Sequence, residues 1–370
     1  MSNDIAAGLY IHVPFCIRKC PYCDFYSVTD RSLISDWLTA FRQEVSLYEG
    51  RFSSFDSLYI GGGTPTLLNG SQVTAVMESL WSTVSLLPDS EITLETNPDD
   101  LTQENLALYR QAGVNRVSVG AQSFHDEELR YLRRRHTARQ TKQALSMIRA
   151  AGFDNVSVDL MYGIPGQTED SWIKSLECAL SFDPEHLSCY QLTIGEGTVY
   201  GEMAAQGRMV PLEEEKERRF FLLTSELLTE RGYLHYEVSN FARSESYFSR
   251  HNRKYWQHVP YLGLGPSAHS FLNSTRWWNT RSVTEYCQRL AQGGSPLAGE
   301  ETLSEEQYFL EALYLGLRTR EGIDKTLATG HDCILDQLQS AGLVRVTEER
   351  IIPTREGLLV ADSLPLLFTN

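Results

Sequence analysis

No stretch of the 370 residues approaches the roughly 18 consecutive apolar positions that a bilayer-spanning helix needs. The first residues carry neither the basic segment nor the apolar run of a secretory leader, so a cytoplasmic protein is expected. Positive charge is scarce: 33 Lys and Arg face 48 Asp and Glu, a formal net charge of −15. A nucleic-acid binder carries the opposite sign on its binding face, so no nucleic-acid partner is expected. One dense basic run exists, Arg130-Tyr131-Leu132-Arg133-Arg134-Arg135-His136. Repeats of solenoid length and low-complexity segments are missing, which excludes arrays and long disordered linkers. Cysteine is sparse, at seven. Four of these, Cys178, Cys189, Cys287 and Cys333, are scattered and read as small buried hydrophobes. The other three stand together, and in a reducing compartment clustered cysteines indicate metal or redox chemistry.

Those three are Cys16, Cys20 and Cys23, spaced C-x3-C-x2-C in "VPFCIRKCPYCDFYS". A structural zinc site takes four protein ligands, usually as two C-x2-C pairs, and no second pair is present. His12 and Asp24 are near in sequence and keep zinc open as an alternative. An iron–sulfur cluster fits better: three thiolates on a tight loop hold three irons, and the fourth iron is left for a small molecule. Pro21 and the aromatic residues Phe15, Tyr22, Phe25 and Tyr26 would shield such a cluster.

β-rich runs at residues 9–13, 57–60, 91–95, 116–120, 155–161 and 186–193 alternate with segments of helical period at 32–48, 71–85, 101–112, 137–151 and 170–181. A further helix fits 212–231. Strand–helix repeated six times predicts parallel pairing with right-handed crossovers, as a partial (β/α)6 barrel or an open sheet. Residues 1–232 are expected to form this α/β unit, and 233–295 an aromatic and glycine-rich extension. Residues 296–370 are expected to form a mainly helical, winged-helix-like domain with a packing or interaction role.

The strands end in polar or glycine-rich segments. "GGGTPT" follows the second, "LETNPDD" closes the third with Glu95 and Asn97, and "SVGAQSF" closes the fourth with Gln122. The fifth, "VSVDLMYGIPGQT", carries Asp159. Polar groups inside apolar strands are costly unless they are used or satisfied. Parallel α/β folds place ligands at the C-terminal strand ends, so these positions predict one pocket.

The series "LYIHVPFCIRKCPYCDF", "GGGTPT", "LETNP", "GAQSF" and "DLMYGIPGQT" resembles the radical S-adenosylmethionine superfamily. Within it, the resemblance is to the branch of oxygen-independent coproporphyrinogen III dehydrogenases and HemW-type heme chaperones. It implies a [4Fe–4S] cluster on Cys16, Cys20 and Cys23, with S-adenosylmethionine chelating the open iron. By motif, Tyr10, Tyr22, Gly62, Gly63, Thr64, Glu95, Gln122, Arg134 and Asp159 would line the S-adenosylmethionine site. Arg133 stands where the chaperone pattern has glycine. The dehydrogenase pattern has a further cysteine two positions after the third, where this chain has Phe25, and a long N-terminal extension before the first. Both departures favour the chaperone branch.

"HNRKYW" resembles that branch's heme-binding segment and implies a heme site of His251, Asn252, Tyr255 and Trp256. A packed aromatic corner is the competing reading, with His269 as an alternative ligand and Gly263 and Gly265 as turn residues. The resemblance further implies a heme-acceptor protein, with peripheral membrane association and a homodimer as open states. No catalytic residue is assigned.

Overall fold

The computed structural model describes residues 5–368. Six strands run in sequence order through the centre of one 12-stranded sheet. They are β1 (Ala7–Val13), β2 (Phe55–Gly62), β3 (Leu86–Thr96), β4 (Arg116–Gln122), β5 (Val156–Tyr162) and β6 (His186–Gln191). All five neighbouring pairs among them are parallel. The helices of the crossovers begin where local chemistry starts them. Asn69 and Gln72, Thr137 and Gln140, and Thr168 and Ser171 form reciprocal capping boxes at the starts of helices Gly70–Trp81, Ala138–Ala150 and Glu169–Leu180. The apolar stripes of these helices pack onto β1–β6 as one core, with Trp37 and Trp172 fully buried in it. Trp172 also donates its indole N–H to Thr224 at 2.8 Å, fixing helix Glu214–Glu230 to this layer.

The sheet continues past the sixth strand in two directions. β7 (Leu234–Glu237) and β8 (Asn240–Ala242) extend the β6 edge antiparallel. β9 (Tyr261–Leu264) pairs parallel with β1, and β10 (His269–Leu272), β11 (Thr275–Asn279) and β12 (Leu297–Thr302) follow it antiparallel. The aromatic and glycine-rich stretch therefore supplies five short strands to the sheet, β7–β11, together with helices Arg250–Trp256 and Val283–Ala291. Sequence reading takes residues 296 onward as helices, then a hairpin, whereas the structure begins with strand β12. That strand is exposed at most of its positions, so it shows no apolar alternation to read. The remainder holds helices Glu305–Gly316 and Asp332–Ser340 and a three-stranded sheet around a separate small core.

Candidate functional site

The cysteine loop leaves the end of β1 and folds over the turn that leaves the end of β2. Gly63 N–H donates to Val13 O at 2.8 Å, and Thr64 N–H to Phe15 O at 2.7 Å. The approach is so close that a Cβ on Gly63 would stand 2.6 Å from Phe15 O. Gly62 has φ +109°, and a Cβ there would stand 2.7 Å from the His12 ring. A Gly63→Val variant is expected to displace the cysteine loop and lose most cluster on anaerobic reconstitution, measured as iron per chain.

A cleft of 510 Å³ opens between these loops at the C-terminal ends of the strands. Cys16, Cys20 and Cys23 form one wall, and Tyr22, Gly62, Gly63, Thr64, Glu95, Gln122, Arg134 and Asp159 also line it. Residues from five strand ends and the cysteine loop thus converge. Tyr10 does not line this cleft; its ring neighbours Tyr59 and His251, at 6.3 and 6.1 Å between ring centres.

Arg134 organises the wall facing the cysteines. It donates to Asn97 Oδ1 at 2.5 Å and Gly120 O at 2.8 Å, and it lies 3.7 Å from Cys20 Sγ. Its Nε is buried without a partner. Its placement follows from the turn before it. Helix Asp126–Tyr131 ends with Arg133 N–H on Arg130 O and Arg134 N–H on Leu129 O, a Schellman pattern with Arg133 at φ +52°. Left-handed backbone disfavours residues other than glycine, so Arg133→Gly is expected to raise stability by about 0.5–1 kcal/mol in denaturant melts. Arg135 pairs with Asp99 and Asp100, so this part of the basic run is consumed internally.

Two carboxylates sit on the opposite side, inside the barrel. Glu95 accepts from Tyr59 Oη at 2.7 Å and from Gly62 N–H at 3.1 Å. Asp159 accepts from Ser118 Oγ at 3.1 Å. Burial pushes Glu95 up to about 7 and Asp159 up to about 6, and the negative charge of Asp159 adds to the shift of Glu95. Such a pair favours a cationic ligand, which would restore the ionised forms. Tyr59 and Asn97 complete the site; Asn97 stands among the strand-end residues of the sequence, but Tyr59 is not singled out there. Its signal is the period-2 position on β2 that shares the inward face with Gly61.

Thr64 Oγ1 lies 3.5 Å from Cys16 Sγ, so two of the three sulfurs have polar neighbours. Among the described residues, no three His, Cys, Asp or Glu side chains converge on a single ion. A cubane makes no such demand, because each thiolate takes a different iron. The donor set, the orphaned Arg134 Nε and the glycine cradle therefore fit a cluster with a ligand beside it.

The HNRKYW segment forms helix Arg250–Trp256 below the barrel. His251 is 1% exposed. Its Nε2 meets Tyr255 Oη at 2.8 Å, its Nδ1 lies 3.5 Å from Ser57 Oγ, and its ring stacks on Tyr59 at 5.3 Å. Burial lowers its pKa to about 3. Here His251 offers heme iron no free nitrogen. Asn252 lies half-buried in the first turn of that helix, where its backbone N–H donates to Ser249, and Trp256 packs edge-on against Tyr236. His269, by contrast, is exposed on β10.

Residues 10–179 match the radical SAM superfamily model. Proteins named heme chaperone HemW from Mycobacterium tuberculosis (strain ATCC 25618 / H37Rv) and Bacillus subtilis (strain 168) are each 33% identical, covering 96% of this chain and 93% and 97% of theirs. The mitochondrial radical S-adenosyl methionine domain-containing protein 1 of Bos taurus is 34% identical over 97% of this chain and 86% of its own. The solved structure of coproporphyrinogen III oxidase (HemN) from Escherichia coli superposes with a TM-score of 0.83 at 25% identity, covering 98% of this chain and 90% of that one. The cleft geometry and these near-full-length likenesses lead to one conclusion: the chain belongs to the radical SAM superfamily, in its HemW-type branch.

Proposed function

We propose that the chain is a heme chaperone that holds a [4Fe–4S] cluster on Cys16, Cys20 and Cys23, binds S-adenosylmethionine in the cleft, takes up heme and passes it to an acceptor protein. Family membership implies the cluster and S-adenosylmethionine. The observation that carries the heme reading is the near-full-length likeness to proteins named heme chaperones. Phe25, in place of the further cysteine of the dehydrogenase pattern, supports it. When bound, the reduced cluster supplies one electron to the sulfonium of S-adenosylmethionine. The chain's own groups then have definable tasks. Arg134 offsets the negative charge of the sulfurs, while Glu95 and Asp159 attract the ligand's cationic groups. The Gly62–Thr64 backbone admits its methionine end, and Tyr22, Met161 and Tyr190 keep water out.

This assignment has a pH signature. The folded carboxyl groups titrate at about 7 and 6, well above ordinary values. Without ligand, their ionisation erodes stability as pH rises from about 4.5 toward 7, because the folded state holds protons that the unfolded chain has released. S-adenosylmethionine affinity should therefore rise between pH 5.5 and about 7.5. Isothermal titration checks this, and Glu95→Gln should flatten most of the rise.

Heme titration followed by absorbance tests the main reading. A saturable complex supports it, and its absence removes the chaperone role. A decarboxylase acting on coproporphyrinogen III is the second reading, favoured by the likeness to HemN. Protoporphyrinogen formed on anaerobic incubation with reductant, S-adenosylmethionine and substrate would decide for it. No helix among the described residues is long and apolar enough to cross a membrane, so contact with a membrane-held acceptor would be peripheral.

A further inference from the structure

After β6 the chain forms a short strap, residues 195–209, built around helix Val199–Ala205. Gly195, at its start, lines the cleft. Both ends of the helix are fixed locally. Thr198 Oγ1 accepts from Gly201 N–H at 3.0 Å and donates to Gly195 O at 2.7 Å. Arg208 N–H reaches Met203 O at 2.8 Å and Gly207 N–H reaches Ala204 O at 2.9 Å, with Gly207 at φ +67°, so the helix closes in a Schellman turn.

Tyr200, 4% exposed, joins this strap to both parts of the sulfur wall. Its backbone N–H donates to Pro21 O at 3.0 Å, inside the turn between Cys20 and Cys23. Its phenol donates to Tyr131 O. That carbonyl ends helix Asp126–Tyr131, where the last carbonyls have no partner within the helix. Arg134 stands three residues further on, with Nη1 3.7 Å from Cys20 Sγ. The rings of Tyr200 and Tyr131 also meet, at 5.4 Å between centres. One buried residue thus ties the loop that bears Cys20 to the turn that bears Arg134. Arg18 makes a further tie, to Arg133 O at 2.5 Å, but it is exposed to water, where a hydrogen bond holds less.

Packing follows the same lines. Tyr200 belongs to a small apolar cluster separate from the core of β1–β6, with Leu132, Met161, Leu192 and Met209 buried beside it and Tyr22 packed against it. Tyr22 lies between Cys20 and Cys23, and Leu132 lies two residues before Arg134.

We propose that Tyr200 is a positioning residue for the cluster. Through Tyr131 O it sets how closely Arg134 stands to the sulfur of Cys20, and so contributes to the reduction potential. The inference rests on the reading of Cys16, Cys20 and Cys23 as cluster ligands. A positive charge beside a ligating sulfur favours the reduced, more negative cluster, and the interaction falls with distance. A looser Arg134 therefore lowers the potential.

The test uses the full chain, anaerobically reconstituted, with the midpoint potential of the cluster read by EPR-monitored redox titration in the absence of S-adenosylmethionine. Tyr200→Phe keeps the ring and the backbone bond to Pro21 and removes only the bond to Tyr131 O. Its iron content should match wild type, and its potential should move negative, by less than in Arg134→Leu. Added to Arg134→Leu, the same replacement should move the potential no further, because its effect passes through the arginine. A residue that merely filled space would not show this dependence. A wild-type potential in Tyr200→Phe, or an equal shift with and without Arg134, would overturn the assignment. Loss of the cluster from Tyr200→Phe would make the residue a support of the loop alone, and would overturn it too. A wild type that takes up no iron–sulfur cluster would defeat the cluster reading itself, and the role of Tyr200 with it.

Discussion

Replacing Cys16, Cys20 and Cys23 together with alanine should reduce iron and sulfide after anaerobic reconstitution to background, and abolish reductive cleavage of S-adenosylmethionine. The physical basis is that cluster thiolates are its covalent anchors, and the polar neighbours of Cys16 and Cys20, Thr64 and Arg134, do not replace a thiolate on iron. The fold should survive. The core of β1–β6 and its helices is built from buried apolar side chains and includes none of the three cysteines. Burial pushes the Cys23 thiol up to about 11, so loading must release the proton of this thiol. Retained far-ultraviolet circular dichroism with lost 400 nm absorbance is the expected pair of readings.

The second large effect belongs to Arg134. Arg134→Leu removes the cation nearest Cys20 and leaves Asn97 Oδ1 and Gly120 O without their donor. Losing a preorganised charged donor beside a reacting centre costs about 10²–10³ in rate. Single-turnover cleavage of S-adenosylmethionine should slow by that order, with iron content close to wild type. Arg134→Lys should recover little, because a point charge does not reproduce two directed donors on a planar fork. If cleavage is unchanged in Arg134→Leu while the protein is loaded, the arginine serves only the fold.

Much of the cleft can be read from the chain because polar residues stand at or near the C-terminal ends of strands whose neighbouring positions are apolar. Glu95, Gln122 and Asp159 stand out for that reason. So does the GGG turn, whose close approach to the cysteine loop is visible only in three dimensions. Arg134 is reached through an end-of-helix turn in which a non-glycine residue takes positive φ, a geometry that three adjacent arginines hide. The sheet beyond β1 is the least legible part. β9–β12 are four to six residues long, and their pairing joins residues 7–13 to residues 261–302. No local period announces such contacts. His251 shows the reverse problem: its motif is conspicuous, yet its ring is enclosed by Tyr59, Tyr10 and Tyr255.

The most direct test of the central claim is electron paramagnetic resonance of reduced, anaerobically reconstituted protein, recorded without and with S-adenosylmethionine. A cluster signal whose g values shift on addition is the predicted result, because the added molecule takes the iron that no side chain holds. Zinc in place of iron, or a cluster signal indifferent to S-adenosylmethionine, would contradict the account.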